Sequence, residues 1–328
     1  MFLGAARRPL VAVAVLVLAV GACFAGSQLP GRLGRAAGVG PAGAARPSAA
    51  AVPSRGPSAA PTSTCAPLPA GLSRRTDASV RPVRSYLLQV PAGPVRSLVV
   101  DFHGYRQSAR QQDAYTGLGA AGAKVGAVVV TPDGLGGRWN FVRRPAVGPD
   151  DVAFVTRLVT AVRRATCAPA VPVVLTGFSD GADMADVIAC ASPGLAAAVV
   201  AVAPSIDPTC PRLPSRMVEV HGTADPIVPF GGGGGDRPPP FEETEAQPVL
   251  GRLARWAVTG GCARTPSVRR EFADVVVRTW SCPGTDLRLY EIRGGGHTWP
   301  GAQPVPAFGA TTSSVRATDI VLRPLAGR

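Results

Sequence analysis

The 328-residue chain holds one lysine, Lys124, and only three histidines, His103, His221 and His297. Acidic residues are absent from the first 64 positions, the earliest being Asp77, although six arginines stand there. The net charge of +13 is therefore front-loaded, and the remainder sets 28 basic side chains against 21 acidic ones. With no arginine-lined helix and no basic run interleaved with aromatics, this surplus does not describe a nucleic-acid surface. No Cys-x-x-Cys occurs, which removes the zinc-ribbon and thioredoxin-type readings. The histidines are 118 and 76 residues apart, without the paired spacing of a metal site. The longest apolar run, Leu10 to Val20, is shorter than the roughly 20 residues a spanning helix requires.

That run follows Arg7-Arg8 and leads into Gly21-Ala22-Cys23, the charged, apolar and small-residue order of a secretory signal over residues 1–22. Val20-Gly21-Ala22-Cys23 also resembles a lipobox, which makes Cys23 a lipidation candidate and a route to a membrane tether. Cleavage after Ala22 or Ala25 to free a soluble protein is the alternative, and Arg7-Arg8-Pro9 loosely fits a twin-arginine signal. Residues 23–64 are Ala, Gly, Pro, Ser and Arg with few large apolar side chains, so they read as a tether that cannot offset its ordering entropy. The folded unit is expected over residues 65–328, in an extracellular or cell-surface setting. Setting Cys23 aside leaves six cysteines, an even number suited to an oxidising compartment. Of 15 pairings, Cys190 with Cys210 and Cys262 with Cys282 close short loops, and Cys65 with Cys167 follows by elimination.

Short β-branched runs at 86–90, 97–102, 126–131, 171–176, 196–203, 217–220 and 287–292 predict buried strands. Helices are expected at 109–124, 151–165, 180–191, 242–258 and 314–325. The alternation predicts an α/β architecture with a mostly parallel central sheet, right-handed crossovers and helices on both faces.

The strand at 171–176 runs into Gly177-Phe178-Ser179-Asp180-Gly181, the G-x-S-x-G pattern of a nucleophile elbow, followed at once by a helix. A sharp turn there exposes the Ser179 hydroxyl, and the helix start aims N–H groups at an oxyanion. The order serine, acid, histidine selects His297 as base and Asp225, after the 217–220 strand, as the acid that orients it; Asp207 and Asp236 compete for that place. The backbone N–H groups of Asp180 and Tyr105 are the oxyanion-hole candidates. His103 and His221, each following a strand, read as turn-ordering residues.

The segments VVDFHGYRQSA, YTGLGAAGAKVGAVVVTPDG, GFSDGADMA, VEVHGTADPIVPF and GGGHTWPG resemble the polyhydroxybutyrate depolymerase and feruloyl esterase type of α/β-hydrolase, which includes exported bacterial lipoprotein esterases. The resemblance spans about Ser85 to Leu325. It implies the α/β-hydrolase fold, a Ser179–His297–Asp225 triad working through an acyl-enzyme, and Trp139, Asn140 and Trp299 as substrate-binding residues lining the acyl cleft. Two departures stand out: Asp180 where the family often has Asn, its carboxylate able to oppose the oxyanion, and Arg106 at a frequent Gly position. Substrates implied are short hydroxyalkanoate, feruloyl or acetyl esters. Only 31 residues follow His297, which leaves little room for a polymer-adsorbing module.

Gly117-Leu118-Gly119-Ala120-Ala121-Gly122 matches G-x-G-x-x-G but follows a helical segment, so it reads as a fraying helix end and not a dinucleotide loop. Asp180, Asp183 and Asp186 read as acids favouring a helix N-terminus. Gly231 to Gly235 lacks the lysine of a phosphate loop, and Trp256 and Trp280 read as core. No cofactor or metal is called for, no nucleic-acid partner is expected, and the state expected is a monomer acting on a small or oligomeric ester. The rival reading is a catalytically silent surface-binding lipoprotein that retains the fold.

Overall fold

The computed structural model describes residues 65–234 and 245–323. The expected leader, tether and Cys23 lie outside them, as do Gly235 and Asp236. Ten strands form one sheet: β1 (Gly71–Asp77), β2 (Arg84–Val90), β3 (Ser97–Phe102), β4 (Ala127–Pro132), β5 (Val173–Phe178), β6 (Ala198–Val202), β7 (Arg216–Gly222), β8 (Ser267–Phe272), β9 (Val275–Trp280) and β10 (Asp286–Ile292). Their order is β1-β2-β4-β3-β5-β6-β7-β10-β9-β8. The six central strands β4-β3-β5-β6-β7-β10 run parallel, and antiparallel pairs finish each edge.

The valine-rich runs form these strands because both faces of the parallel sheet are covered, so alternate side chains enter two separate cores. Leu98, Val100, Leu175 and Val199 pack on one side with Phe154 and Leu158 of α3 (Asp151–Ala165), Ile188 of α4 (Asp180–Ala191) and Leu253 of α5 (Val249–Thr259). Val99, Val129, Val174 and Val200 pack on the other with Leu118 of α2 (Leu118–Lys124) and Ile320 of α6 (Ala317–Leu322).

The predicted helix at 109–124 is two helices, α1 (Ala109–Thr116) and α2, because Gly117 takes a left-handed φ of 64° between them. The fraying helix end read at Gly117–Gly122 is thus a junction that caps α1. The helix expected from 242 begins at Val249, residues 242–244 lying outside the described set, and the last spans Ala317–Leu322 only. Strands β1, β8 and β9 had no counterpart in the sequence reading. β1 and β8 are edge strands whose exposed arginines hide the two-residue period.

All three predicted disulfides are present: Cys65–Cys167, Cys190–Cys210 and Cys262–Cys282. Among the described residues no helix is long and apolar enough to cross a membrane.

Candidate active site

The parallel strands end level with one another: Phe102 pairs with Gly177, Phe178 with Val202, and Gly222 with Ile292. The loops that follow therefore emerge together at the carboxyl edge of the sheet, where open α/β sheets hold their ligands. They enclose a cavity of about 130 Å³.

Ser179 stands between β5 and α4 with φ 56° and ψ −120°, a conformation an L-residue adopts at a cost of about 1–3 kcal/mol. Two glycines make the turn possible. A Cβ on Gly177 would lie 2.3 Å from the Gly181 carbonyl oxygen, and one on Gly181 would lie 2.1 Å from that of Phe102. The Ser179 N–H is anchored to the Val202 carbonyl at 2.9 Å.

Seventy-two residues separate Asp225 from His297, yet Asp225 Oδ2 and His297 Nδ1 lie 2.7 Å apart in a buried pair. The other Asp225 oxygen accepts from the N–H groups of Ile227 and Val228, both at 2.8 Å. Burial pushes this carboxyl up, but its hydrogen bonds and the neighbouring His297 and His221 outweigh that and hold it below the usual carboxylate range. The His297 ring lies near that of Phe178 at 4.8 Å, and the His297 backbone N–H donates to the Phe308 carbonyl at 2.7 Å. Ser179 and His297 line the same cavity. The structure thus brings the three predicted side chains to one place. Asp207 instead pairs with Arg255 at the surface.

Tyr105 and Asp180, the oxyanion candidates, also line this cavity. The Asp180 N–H is the first of α4, a donor with no intrahelical partner. The Asp180 side chain is buried; Oδ2 accepts from the Trp139 N–H at 2.9 Å and Oδ1 has no partner. Burial, reinforced by Asp183 and Asp151, raises its pKa well above the usual carboxylate value despite that hydrogen bond and the nearby Arg138, which lessens the charge that would oppose an oxyanion.

Trp139, Asn140 and Trp299 do not line the cavity. Each is buried as a brace: the Trp139 indole N–H donates to the His103 carbonyl at 2.9 Å, Asn140 ties the carbonyls of Arg144, Gly148 and Pro149, and the Trp299 indole donates to Thr318 at 3.1 Å. Their large apolar surfaces and satisfied polar atoms place them in the interior. The three acids of α4 differ from their sequence reading as well, since all are buried and burial raises each pKa.

His103 and His221 order turns, as their places after strands predict, and Gln107, Glu219 and Arg252 join them as supports that no sequence motif marks. His103 is buried; its Nδ1 lies 2.8 Å from the Gly104 carbonyl and its Nε2 accepts from the Gly134 N–H at 2.8 Å, which assigns the proton to Nδ1. Burial lowers its pKa, consistent with that neutral tautomer. Gln107 caps the same loop, accepting from the Gly104 N–H at 3.0 Å. Asp183 holds the loop after β6 by accepting from the Ser205 hydroxyl at 2.7 Å and the Ser205 N–H at 2.6 Å. Behind Asp225, His221 sits between Glu219 at 3.1 Å and the Val228 carbonyl at 2.9 Å, and Arg252 grips Glu219. The one available signal was a histidine or polar residue placed directly after a buried strand.

No protein-family model matches this sequence. Among curated proteins it is 29% identical over 268 residues to one named "Putative esterase NocK" from Nocardia uniformis subsp. tsuyamanensis, covering 72% of this chain and 75% of that protein. It is 30% identical over 115 residues to feruloyl esterase C of Emericella nidulans, covering 34% of this chain and only 41% of that enzyme. Among solved structures, an acetyl xylan esterase from Aspergillus awamori superposes with a TM-score of 0.52 at 19% identity, over 70% of this chain and 94% of that one. By fold the chain is an α/β-hydrolase, and in sequence it is a relative of proteins described as esterases.

Proposed function

We propose that the protein is an exported serine hydrolase that cleaves short-chain carboxylic esters through an acyl-enzyme. The observation that carries this reading is the buried 2.7 Å contact between His297 and Asp225 in the cavity that also exposes the strained Ser179. His297 Nε2 takes the Ser179 proton as Oγ attacks the ester carbonyl, forming the tetrahedral intermediate. The N–H groups of Asp180 and Tyr105 receive the oxyanion, and Asp225 steadies the imidazolium. The imidazolium then protonates the leaving alkoxide, and a water deprotonated by His297 releases the acid.

The cavity is near the roughly 150 Å³ that accommodates a benzene ring, which favours acyl groups of about six carbons or fewer. Phe178, Ile227, Val228 and Phe308 supply its apolar wall, whereas Gln107 and Ser205 add polar groups suited to a hydroxylated acyl chain. Acetyl and short hydroxyalkanoyl groups match this volume, whereas a feruloyl group would extend beyond it. The rival reading, a silent surface-binding lipoprotein, draws on Asp180 and Arg106, and the raised pKa of Asp180 weakens the first of these supports. Three disulfides and the relationship to a fungal feruloyl esterase support an extracellular setting, with Cys23 as the proposed lipid anchor.

The test compares residues 65–328 with its Ser179→Ala variant on p-nitrophenyl esters from acetate to octanoate and on methyl ferulate. Activity that peaks at or below hexanoate and vanishes in the variant is the expected result. A folded, disulfide-bonded protein with no rate above the variant on any ester would remove the enzyme reading.

A further inference from the structure

Arg106 lies between Tyr105 and Gln107, both of which line the cavity, and takes a left-handed φ of 58°. A glycine would sit there without the Cβ penalty, yet the chain carries its largest cation. Its backbone N–H donates to the Gly137 carbonyl at 2.7 Å. The guanidinium carbon lies 5.3 Å from the centre of the Tyr105 ring, so the charge rests against a residue that lines the cavity. Among the described residues Arg106 makes no ion pair, and neither does Arg138 in the adjoining loop. Arg138 is close enough to Asp180 to favour that group's charged form. The acids within the cavity wall, Asp180 and Asp183, are pushed by burial towards their neutral forms, which weakens their opposition to this field.

We infer that Arg106 selects esters whose alcohol portion carries an ionised carboxylate. The inference rests on the proposed esterase reading, in which the short acyl group fills the cavity and the alcohol portion lies at its mouth, past Tyr105. A planar guanidinium held on an aromatic ring is oriented to receive a carboxylate through two parallel hydrogen bonds. The backbone strain is then the cost of holding that fork at the mouth. An acidic sugar and a free hydroxy-acid terminus share this chemistry.

The experiment measures kcat/KM for 4-acetoxybenzoate and for its neutral methyl ester, with the wild type, Arg106→Gln and Arg106→Gly. The anionic-to-neutral ratio cancels any loss common to both substrates. It is expected to fall roughly tenfold in both variants, mainly through KM, and to fall in the wild type as salt rises from 0.02 to 0.5 M, as screening requires. The glycine variant relieves the left-handed strain, so it keeps the test open should the glutamine variant fold poorly. A ratio unchanged within about twofold in both variants overturns the inference. A preference that appears only for an acyl-side anion, read with mono(4-nitrophenyl) succinate against 4-nitrophenyl butyrate, overturns the alcohol-side assignment. At the same neutral pH, 4-acetoxybenzoate and 3-acetoxybutanoate compared side by side separate a ring carboxylate from a hydroxy-acid terminus. A wild type inactive on both neutral and anionic esters defeats the esterase reading itself, an outcome distinct from an active enzyme with an indifferent Arg106.

Discussion

Asp101 at the end of β3 makes the stability of this fold depend on pH. It is fully buried; one oxygen accepts from Gln112 Nε2 at 2.7 Å and the other lies 3.0 Å from the Thr116 hydroxyl. Burial, opposed by those two contacts, raises its pKa from 3.8 to about 7. At roughly 1.4 kcal/mol per pH unit that displacement corresponds to about 4 kcal/mol. The folded state binds this proton more tightly than the unfolded chain. The contribution is therefore complete below about pH 4, declines as pH rises, and is gone above about pH 7. Asp101→Asn keeps the shape: its amide oxygen still accepts from Gln112 and its NH2 can donate to Thr116, but nothing titrates. In urea unfolding with disulfides intact, the variant should gain about 3–4 kcal/mol relative to the wild type between pH 4.5 and pH 8. That is about 10 °C in Tm for a domain of this size. Asp180 and Asp186 titrate alike in both proteins and cancel from the difference. A gap that stays constant within about 1 kcal/mol across that range would refute the reasoning.

Gly181→Ala would force a Cβ to 2.1 Å from the Phe102 carbonyl oxygen; we expect more than about 2 kcal/mol of destabilisation in urea melts and a lower kcat, since both strand ends carry site residues. Arg252→Met would leave Glu219 buried without its guanidinium, an expected loss of about 3–5 kcal/mol that a matching Glu219→Leu change should largely recover. Asp225→Asn should lower kcat by about 10⁴-fold. Because the folded Asp225 pKa is depressed, the wild type holds that group's stabilisation at neutral pH and loses it as pH falls through the depressed value, whereas the variant's acid unfolding curve should lack that component.

The central strands and the nucleophile turn were legible because burial on both faces writes continuous valine runs, and because Gly177, Ser179 and Gly181 answer to steric demands of a few atoms. Asp225 and His297 were legible from their order along the chain after strands. The edges were not. In β8, Arg269 and Arg270 are exposed on successive residues, so no apolar alternation marks the strand, and its pairing to β9 supplies the stability that its own sequence does not advertise. Trp139, Asn140 and Trp299 misled for a related reason: aromatic and amide side chains beside a site motif serve equally as braces. Only the partners of their polar atoms, His103, Arg144 and Thr318 among them, distinguish the two uses.

The acids of α4 show how such a site tolerates negative side chains beside a developing negative charge. Three ionised carboxylates in the first two turns would cancel the positive end of the helix on which the proposed oxyanion depends. Burial resolves the conflict by pushing all three towards their neutral forms. Two of them act as ties. Asp180 holds the Trp139 N–H and so fixes the 134–140 loop against the start of α4, while Asp183 holds Ser205 and Ile206 after β6. Asp186, with both oxygens buried and unpartnered, lies beside the Glu219–Arg252 pair and feels its field. The walls on either side of Ser179 are thus fastened by the hydrogen bonds of buried acids, and the same burial lessens the charge set against the N-terminal end of the helix dipole.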